Sequence, residues 1–412
     1  MKKKIFVRGP VLSQSGYGEQ SRFALRALRS REDLFDIYVQ PIAWGKTGWI
    51  WDDTEFRQWM DERITQTQIL LQQKQLQPDI SLQITIPNEF EKMCPINIGY
   101  TAGIETNKCS PQWLPKCNDM DKVLVVSNHA KVSLVDTVAQ AQNNQTGETF
   151  PYKCETPVEV VWENTPRQES EDIPGLSLDF DNNFLLVSQL GPRKNFENSV
   201  CWFVEEFVDQ EVGLVIKTNF KGNSIMDFAQ VENHLKNLLG RYENRKCKVY
   251  LLHGDLTPGQ MTSLYSNSKI SALINISHGE GFGLPIYEAA REGLPIVACG
   301  WSGQMDILHH GKDYFNSVDF TLRPVQQQAV WKGVIEPDQM WAFADQGSYK
   351  MTLRKTLKNL DKAKEQAKEL QGLVNDKFSD ESLFKGFCDH FYNEQEQKEL
   401  EEEIDSLLGD LL

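Results

Sequence analysis

Long apolar runs are missing from this 412-residue chain, and no uninterrupted stretch approaches the ~20 residues that a membrane-spanning helix needs. The basic start at residues 1–8 has no apolar segment behind it, because Gly9, Pro10, Ser13 and Gln14 interrupt at once, so no export signal is read. Closely spaced cysteine pairs are also missing. The eight cysteines, at 94, 109, 117, 154, 201, 247, 299 and 388, are scattered, which excludes a CxxC zinc or redox motif and predicts reduced thiols in a cytoplasmic protein. Nor is there an excess of positive charge. Forty-three basic against 58 acidic residues leave a net charge of -15, which disfavours a nonspecific grip on nucleic-acid phosphates without excluding a local basic groove. About half of that acidity sits in residues 393–412, with eight acidic residues and one basic, a pattern read as a solvated helix or frayed tail.

What is present is a soluble composition, 40% hydrophobic and 25% charged, in a chain long enough for two domains with a binding cleft between them. Short β-branched runs alternate with amphipathic segments. Strands are predicted at 5–8, 35–40, 81–86, 96–100, 123–127 and 158–162, with helices at 19–28 and 129–139. A polar stretch containing Pro166, Pro174 and Gly175 then reads as a linker. The pattern resumes with strands at 184–190, 213–218, 248–253, 272–277 and 295–299 and helices at 196–208, 226–239, 259–266 and 285–292. The expected class is α/β, with two doubly wound, Rossmann-like domains facing across a cleft. Their bounds are set at 1–170 and 171–375. Residues 376–412 form a third part, an amphipathic helix carrying Leu383, Phe384, Phe387 and Phe391, followed by the acidic tail.

Ligands of such sheets sit at the carboxyl ends of the strands, so the loops after Arg8, Leu190, His253 and Ser277 are where chemistry is sought. After the strand ending at Ser277 comes HGEGFGLPIYEAARE, residues 278–292. Its glycines 279, 281 and 283 let backbone approach a ligand, and Pro285 suits the first turn of a helix whose free N–H groups favour an anion or sugar hydroxyls. Glu280 and Glu288 can each accept two hydrogen bonds from a vicinal diol, so the pair can address two hydroxyl clusters of one extended ligand. Upstream, Arg193 and Lys194 close the strand ending at Leu190, where adjacent cations can stabilise a departing diphosphate.

Glu280, seven residues and Glu288, with GFGLPIY between them, resemble the E-x7-E signature of glycosyltransferase family 4, the group 1 glycosyl transferases. That resemblance implies a GT-B fold, with the acceptor bound by residues 1–170 and the nucleotide-sugar by residues 171–375, and a retaining transferase that takes its sugar from a nucleotide diphosphate-sugar donor, needs no metal and uses no further cofactor. It assigns Glu280 to the transferred sugar, Glu288 to the ribose diol, the amides of Phe282, Gly283 and Leu284 to the sugar and phosphates, and Arg193 with Lys194 to the pyrophosphate. Gly16 and Gly18 in SQSGYGE resemble the glycine loop that reaches the phosphates from the opposite domain, and His253 with Gly254 fall where the backbone touches the base. Glu105, in GYTAGIETNKCSPQW, is a candidate for contact with the acceptor or reacting centre; capping or pairing with a neighbouring segment is the other reading of it. Trp44, Trp49 and Trp51 either stack on a ring acceptor or pack beneath their loop. Asp306 stands where relatives carry Glu. The acceptor class, whether glycan, lipid-linked sugar or small molecule, is not encoded legibly. A nucleotide-sugar epimerase, a nucleic-acid glycosylating enzyme and an inactive two-domain binding protein are the rival readings.

Overall fold

The computed structural model describes residues 2–143, 145–309 and 314–392. The acidic tail, residues 393–412, therefore lies outside the described residues. The first unit runs β1 (Lys3–Gly9), α1 (Gly16–Arg29), β2 (Phe35–Pro41), α2 (Glu55–Gln72), β3 (Ile80–Ile84) and β4 (Ile96–Thr101). It continues through α3 (Trp113–Asn118), β5 (Lys122–Val125), α4 (Asn128–Val135), β6 (Ala139–Gln142), β7 (Thr149–Tyr152) and β8 (Val158–Val160). The second opens with β9 (Asn183–Val187), α5 (Phe196–Phe207), β10 (Gly213–Lys217), α6 (Ile225–Leu239), β11 (Lys248–Leu252), α7 (Pro258–Tyr265) and β12 (Ile270–Asn275). There follow α8 (Leu284–Arg291), β13 (Ile296–Cys299), α9 (Met305–Leu308), β14 (Asn316–Val318), β15 (Phe320–Pro324) and β16 (Met340–Ala344). Three helices close the described chain, α10 (Gln346–Lys358), α11 (Leu360–Lys377) and α12 (Asp380–Cys388).

Two six-stranded parallel sheets result, ordered β2-β1-β3-β4-β5-β8 and β11-β10-β9-β12-β13-β14. Both are doubly wound, and each has a point where strand order reverses, between β1 and β3 in the first and between β9 and β12 in the second. The central strands are covered on both faces: all six residues of β12 and all five of β3 are buried, Ser81, Gln83, Ser271 and Asn275 among them. The predicted strands are therefore all found, but several end early. β12 stops at Asn275 because the Asn275 Oδ1 accepts from Ser277 N (3.0 Å) and the Asn195 side chain donates to Ile276 O (3.1 Å), which takes those residues out of the ladder and into the loop.

Several elements were not foreseen. α2 buries only Trp59, Met60, Ile64 and Thr67, too sparse a stripe to stand out in the sequence. The β6–β7 hairpin, β14, the β15–β16 hairpin and α10 were also missed. The segment joining β15 to β16, residues 325–339, leaves its own sheet and lies on the first unit. Lys108 Nζ meets Asp338 (2.5 Å), Ser110 Oγ donates to Glu336 (2.8 Å) and the Trp113 indole N–H donates to Gly333 O (3.0 Å). The amphipathic C-terminal helix exists as α12, and the part of the body it packs on is the first unit. Phe384 and Phe387 meet Phe23 at 5.9 and 5.6 Å, Phe391 meets Phe35 at 6.4 Å, and the Cys388 thiol donates to Ala27 O. The boundary expected at residue 375 thus falls inside α11, and the chain crosses back to its starting domain. All eight cysteines are unpaired, seven of them buried. Among the described residues no helix is long and apolar enough to cross a membrane.

Candidate active site

The site forms where the second sheet reverses its order. The loop leaving β9 turns through a short 3-10 segment, Pro192–Lys194, and ends at Asn195, whose left-handed φ of 51° breaks that turn and starts α5. The loop leaving β12 is laced to it, because His278 N donates to Arg193 O (2.8 Å). The side chains of Arg193 and Lys194 are thereby aimed at Glu280. Lys194 Nζ lies 2.7 and 2.8 Å from the two carboxylate oxygens of Glu280, and Arg193 Nη1 lies 2.9 Å from Oε2. Ser277 Oγ (2.9 Å) and the Asn275 amide (3.3 Å) also donate to Glu280, which is 4% exposed. Burial alone would push this carboxyl up, but Lys194 and Arg193 outweigh it and hold the group down at about 2, so Glu280 is ionised across the physiological range. Burial and the neighbouring Arg193 lower Lys194, while Glu280 opposes them. The three residues singled out in the sequence are brought together as one hydrogen-bonded ion cluster.

Glu105 joins the cluster from the first domain, its Oε1 3.2 Å from Arg193 Nε. The reading of it as a pairing residue describes this geometry. Glu288 lies elsewhere, one turn into α8, accepting from Tyr265 Oη (2.9 Å) and Thr165 Oγ1 (3.2 Å). Burial raises its carboxyl, with Arg291 opposing. Each oxygen keeps a second lone pair for a further donor such as a ribose hydroxyl.

Two glycines of this loop lie against the opposite domain. A Cβ on Gly279 would stand 2.3 Å from Glu105 O, and one on Gly281 would stand 2.7 Å from Ala102 O. The backbone of the opposite domain excludes a side chain here. Gly283 takes φ 102° as the N-cap of α8, so the amides after it, including that of Leu284, start the helix, while Phe282 itself is buried against Tyr287 and Phe378. Gly16 and Gly18 form the first turn of α1, capped by Ser15 Oγ accepting from Gly18 N (3.1 Å). A Cβ on Gly18 would collide with Ser13 O at 2.0 Å, whereas Gly16 has no atom within 4 Å of that position and alone leaves open space. His253 is engaged structurally: its Nε2 is 2.9 Å from the Asp227 carboxylate, which also accepts from the amides of Phe220 and Lys221. Gly254 follows with φ 100° and accepts from Lys217 Nζ (2.8 Å). Of the three tryptophans, Trp44 packs on Tyr17 at 4.3 Å, while Trp49 and Trp51 are 67% and 96% exposed.

No protein-family profile matches the chain. The serotype-specific mannosyltransferase WbdA of Escherichia coli is 29% identical over 118 residues, which make up 28% of this chain and 13% of that protein. The match thus spans about an eighth of that relative's length. Solved structures agree over nearly the whole chain. Sucrose-phosphate synthase from Thermosynechococcus elongatus superposes with a TM-score of 0.62 at 13% identity, covering 95% of this chain and 98% of that one. A glycosyltransferase from Rickettsia africae gives 0.59 at 12% identity, covering 95% and 98%. HepE from Anabaena, solved with UDP and glucose, gives 0.55 at 14% identity, covering 95% and 99%. The chain has the GT-B fold.

Residues that sequence reasoning passed over hold this GT-B cleft together. Asp306, noted only as a departure, accepts with Oδ2 from Asn128 N (2.8 Å), the Asn128 amide (3.0 Å) and the Trp162 indole N–H (2.8 Å), tying α9 to the first domain. Ser127 Oγ donates to Gly281 O at 2.7 Å. Gln14 reaches across the mouth, its amide donating to Asp255 (2.9 Å), which Asn223 also meets. None carries a local signature, since each partner is more than 150 residues away except the Asn223–Asp255 pair and Trp162. Asp306→Asn keeps an acceptor but loses its charge, and is expected to cost about 1–2 kcal/mol of stability, read as a lower urea midpoint at unchanged m.

Proposed function

We propose that this protein is a glycosyltransferase that moves a sugar from a nucleotide diphosphate-sugar to an acceptor hydroxyl with retention of configuration. The observation that carries this reading is the cluster of half-buried Arg193 and Lys194 on buried Glu280 at the reversal point of the second sheet. As the bond from the anomeric carbon to the diphosphate oxygen breaks, negative charge builds on that oxygen, and two fixed cations in a water-poor site stabilise it. The acceptor oxygen bonds to the same carbon, and its proton passes to the leaving phosphate, so the protein supplies charge and position rather than a nucleophile. Glu280, ionised and fixed by four donors, suits hydrogen bonding to the transferred sugar. Glu288 suits the ribose, and the open side of Gly16 leaves room for phosphate at the start of α1. The names of the structural relatives support a transferase, and HepE's UDP and glucose support a nucleotide-sugar donor. The acceptor is a glycan, lipid-linked sugar or small molecule, and unpaired thiols support a reducing, cytoplasmic setting.

Thermal-shift screening against UDP-, GDP- and ADP-sugars is expected to pick out one base by a raised midpoint. Incubating that donor with hydroxyl acceptors is then expected to give a glycoside whose anomeric proton coupling matches the donor's. Conversion of the donor without an acceptor would point to an epimerase, and an inverted product would refute retention.

A further inference from the structure

The cluster contains one carboxylate more than holding a sugar requires. Glu280 is fixed from both sides by Ser277, Asn275 and two cations, so it cannot leave. Glu105 is held differently. Among the described residues its carboxylate has one partner, Arg193 Nε. The backbone just after it, by contrast, is pinned: Thr106 O accepts from Ser133 Oγ (3.0 Å) and contacts His129 Nε2 (3.1 Å), and Asn107 N donates to Met340 O (2.9 Å). Only the side chain can swing, and it can do so without domain movement. With Glu105 on Arg193, two cations face two carboxylates and the cluster is neutral. With it withdrawn, one positive charge is uncompensated beside a diphosphate.

We propose that Glu105 is a displaceable counter-ion that competes with the donor diphosphate for Arg193, and so sets donor affinity and the release of the nucleoside diphosphate. This rests on the reading of Arg193 and Lys194 as diphosphate ligands. Glu105 is then a positioning residue, acting through Arg193 rather than on the sugar. It keeps the guanidinium oriented toward the cleft and limits how tightly the product is held.

The test is calorimetric titration of wild type, Glu105→Gln and Glu105→Asp with UDP, GDP and ADP, beside steady-state transfer. Glu105→Gln is expected to bind the nucleotide accepted by wild type about 3- to 10-fold more tightly, with a steeper salt dependence, because a competing charge at contact distance has been removed. Its donor KM is expected to fall, with kcat falling only if product release limits turnover. Glu105→Asp, whose shorter arm reaches Arg193 less well, is expected to tighten binding by a smaller factor, and serves alone if the Gln variant does not fold. Unchanged or weaker nucleotide binding in both variants overturns the proposal, and doing so with transfer abolished would put Glu105 on the acceptor. If wild type binds none of the three nucleotides while remaining folded, it is the transferase reading that fails.

Discussion

Lys194→Ala is expected to lower kcat for transfer by about 10^2–10^3-fold, the range found when one preorganised donor to a developing oxyanion is removed. The ammonium is not a surface charge that salt would screen. It is mostly buried, within 2.8 Å of both oxygens of Glu280, and the same contact fixes that carboxylate in place. In the proposed transferase, one substitution would therefore remove a charge from the leaving group and loosen the group that orients the sugar. Glu280→Gln separates these roles, since it keeps the shape and two of the contacts while leaving both cations in place. It is expected to lose transfer by a similar factor with nucleoside diphosphate binding retained or tightened, whereas Lys194→Ala weakens that binding as well. Breaking a buried ion pair also destabilises, so near-ultraviolet circular dichroism must first establish that each variant is folded. Lys194→Arg, which restores the charge with a different donor geometry, is expected to recover only part of the loss. Turnover within about threefold of wild type in Lys194→Ala would remove the cluster from the mechanism.

The legibility of this site follows from where its members lie along the chain. Arg193, Lys194 and Glu280 each stand within a few residues of a buried strand's end, so apolar runs and a glycine-rich string located them, and parallel topology then required β9 and β12 to be neighbours for them to meet. What could not be read depends on the other domain. Gly279 and Gly281 read as a ligand loop in sequence, and nothing local shows that they also lie against the backbone at Ala102 and Glu105. Asp306 gains its purpose from Asn128 and Trp162, and α12 from Phe23 and Phe35. Such pairings have no periodicity or local composition to betray them. The strap over residues 325–339 is the same case, because its contacts to Ser110 and Trp113 are polar and point outward from its own hairpin.

Glu163→Gln is expected to stabilise the protein at alkaline pH by an amount that grows steadily from about pH 5. Glu163 lies just after β8, where the linker leaves the first domain, and is 4% exposed. Its Oε2 has no hydrogen-bond partner among the described residues. Burial, reinforced by Glu19 and opposed by Arg26, pushes its carboxyl up to about 8 from the ordinary 4.5. Tyr17 and Tyr100 also face it, and Arg26 is shared with Glu19 and Asp380. The sign follows from proton uptake. Between pH 4.5 and 8 the folded state holds a proton that the unfolded state has lost, so stability from this group is full below the unfolded value and drains away as pH rises through the folded one. Raising a pKa by several units corresponds to roughly 3–4 kcal/mol once partial relaxation around the ionised group is allowed for. Glutamine keeps the neutral shape and abolishes that slope. Urea unfolding at pH 5 and pH 9 is thus expected to give wild-type and Gln variants of similar stability at the first and a variant more stable by about 3 kcal/mol at the second. The opposite window belongs to Glu280, whose carboxyl is held at about 2, so its contribution is lost only in acid, between pH 4.5 and 2. A wild-type profile flat from pH 5 to 9, or a Gln variant that tracks it, would mean that Glu163 is ionised in the fold and paired with Arg26 after all.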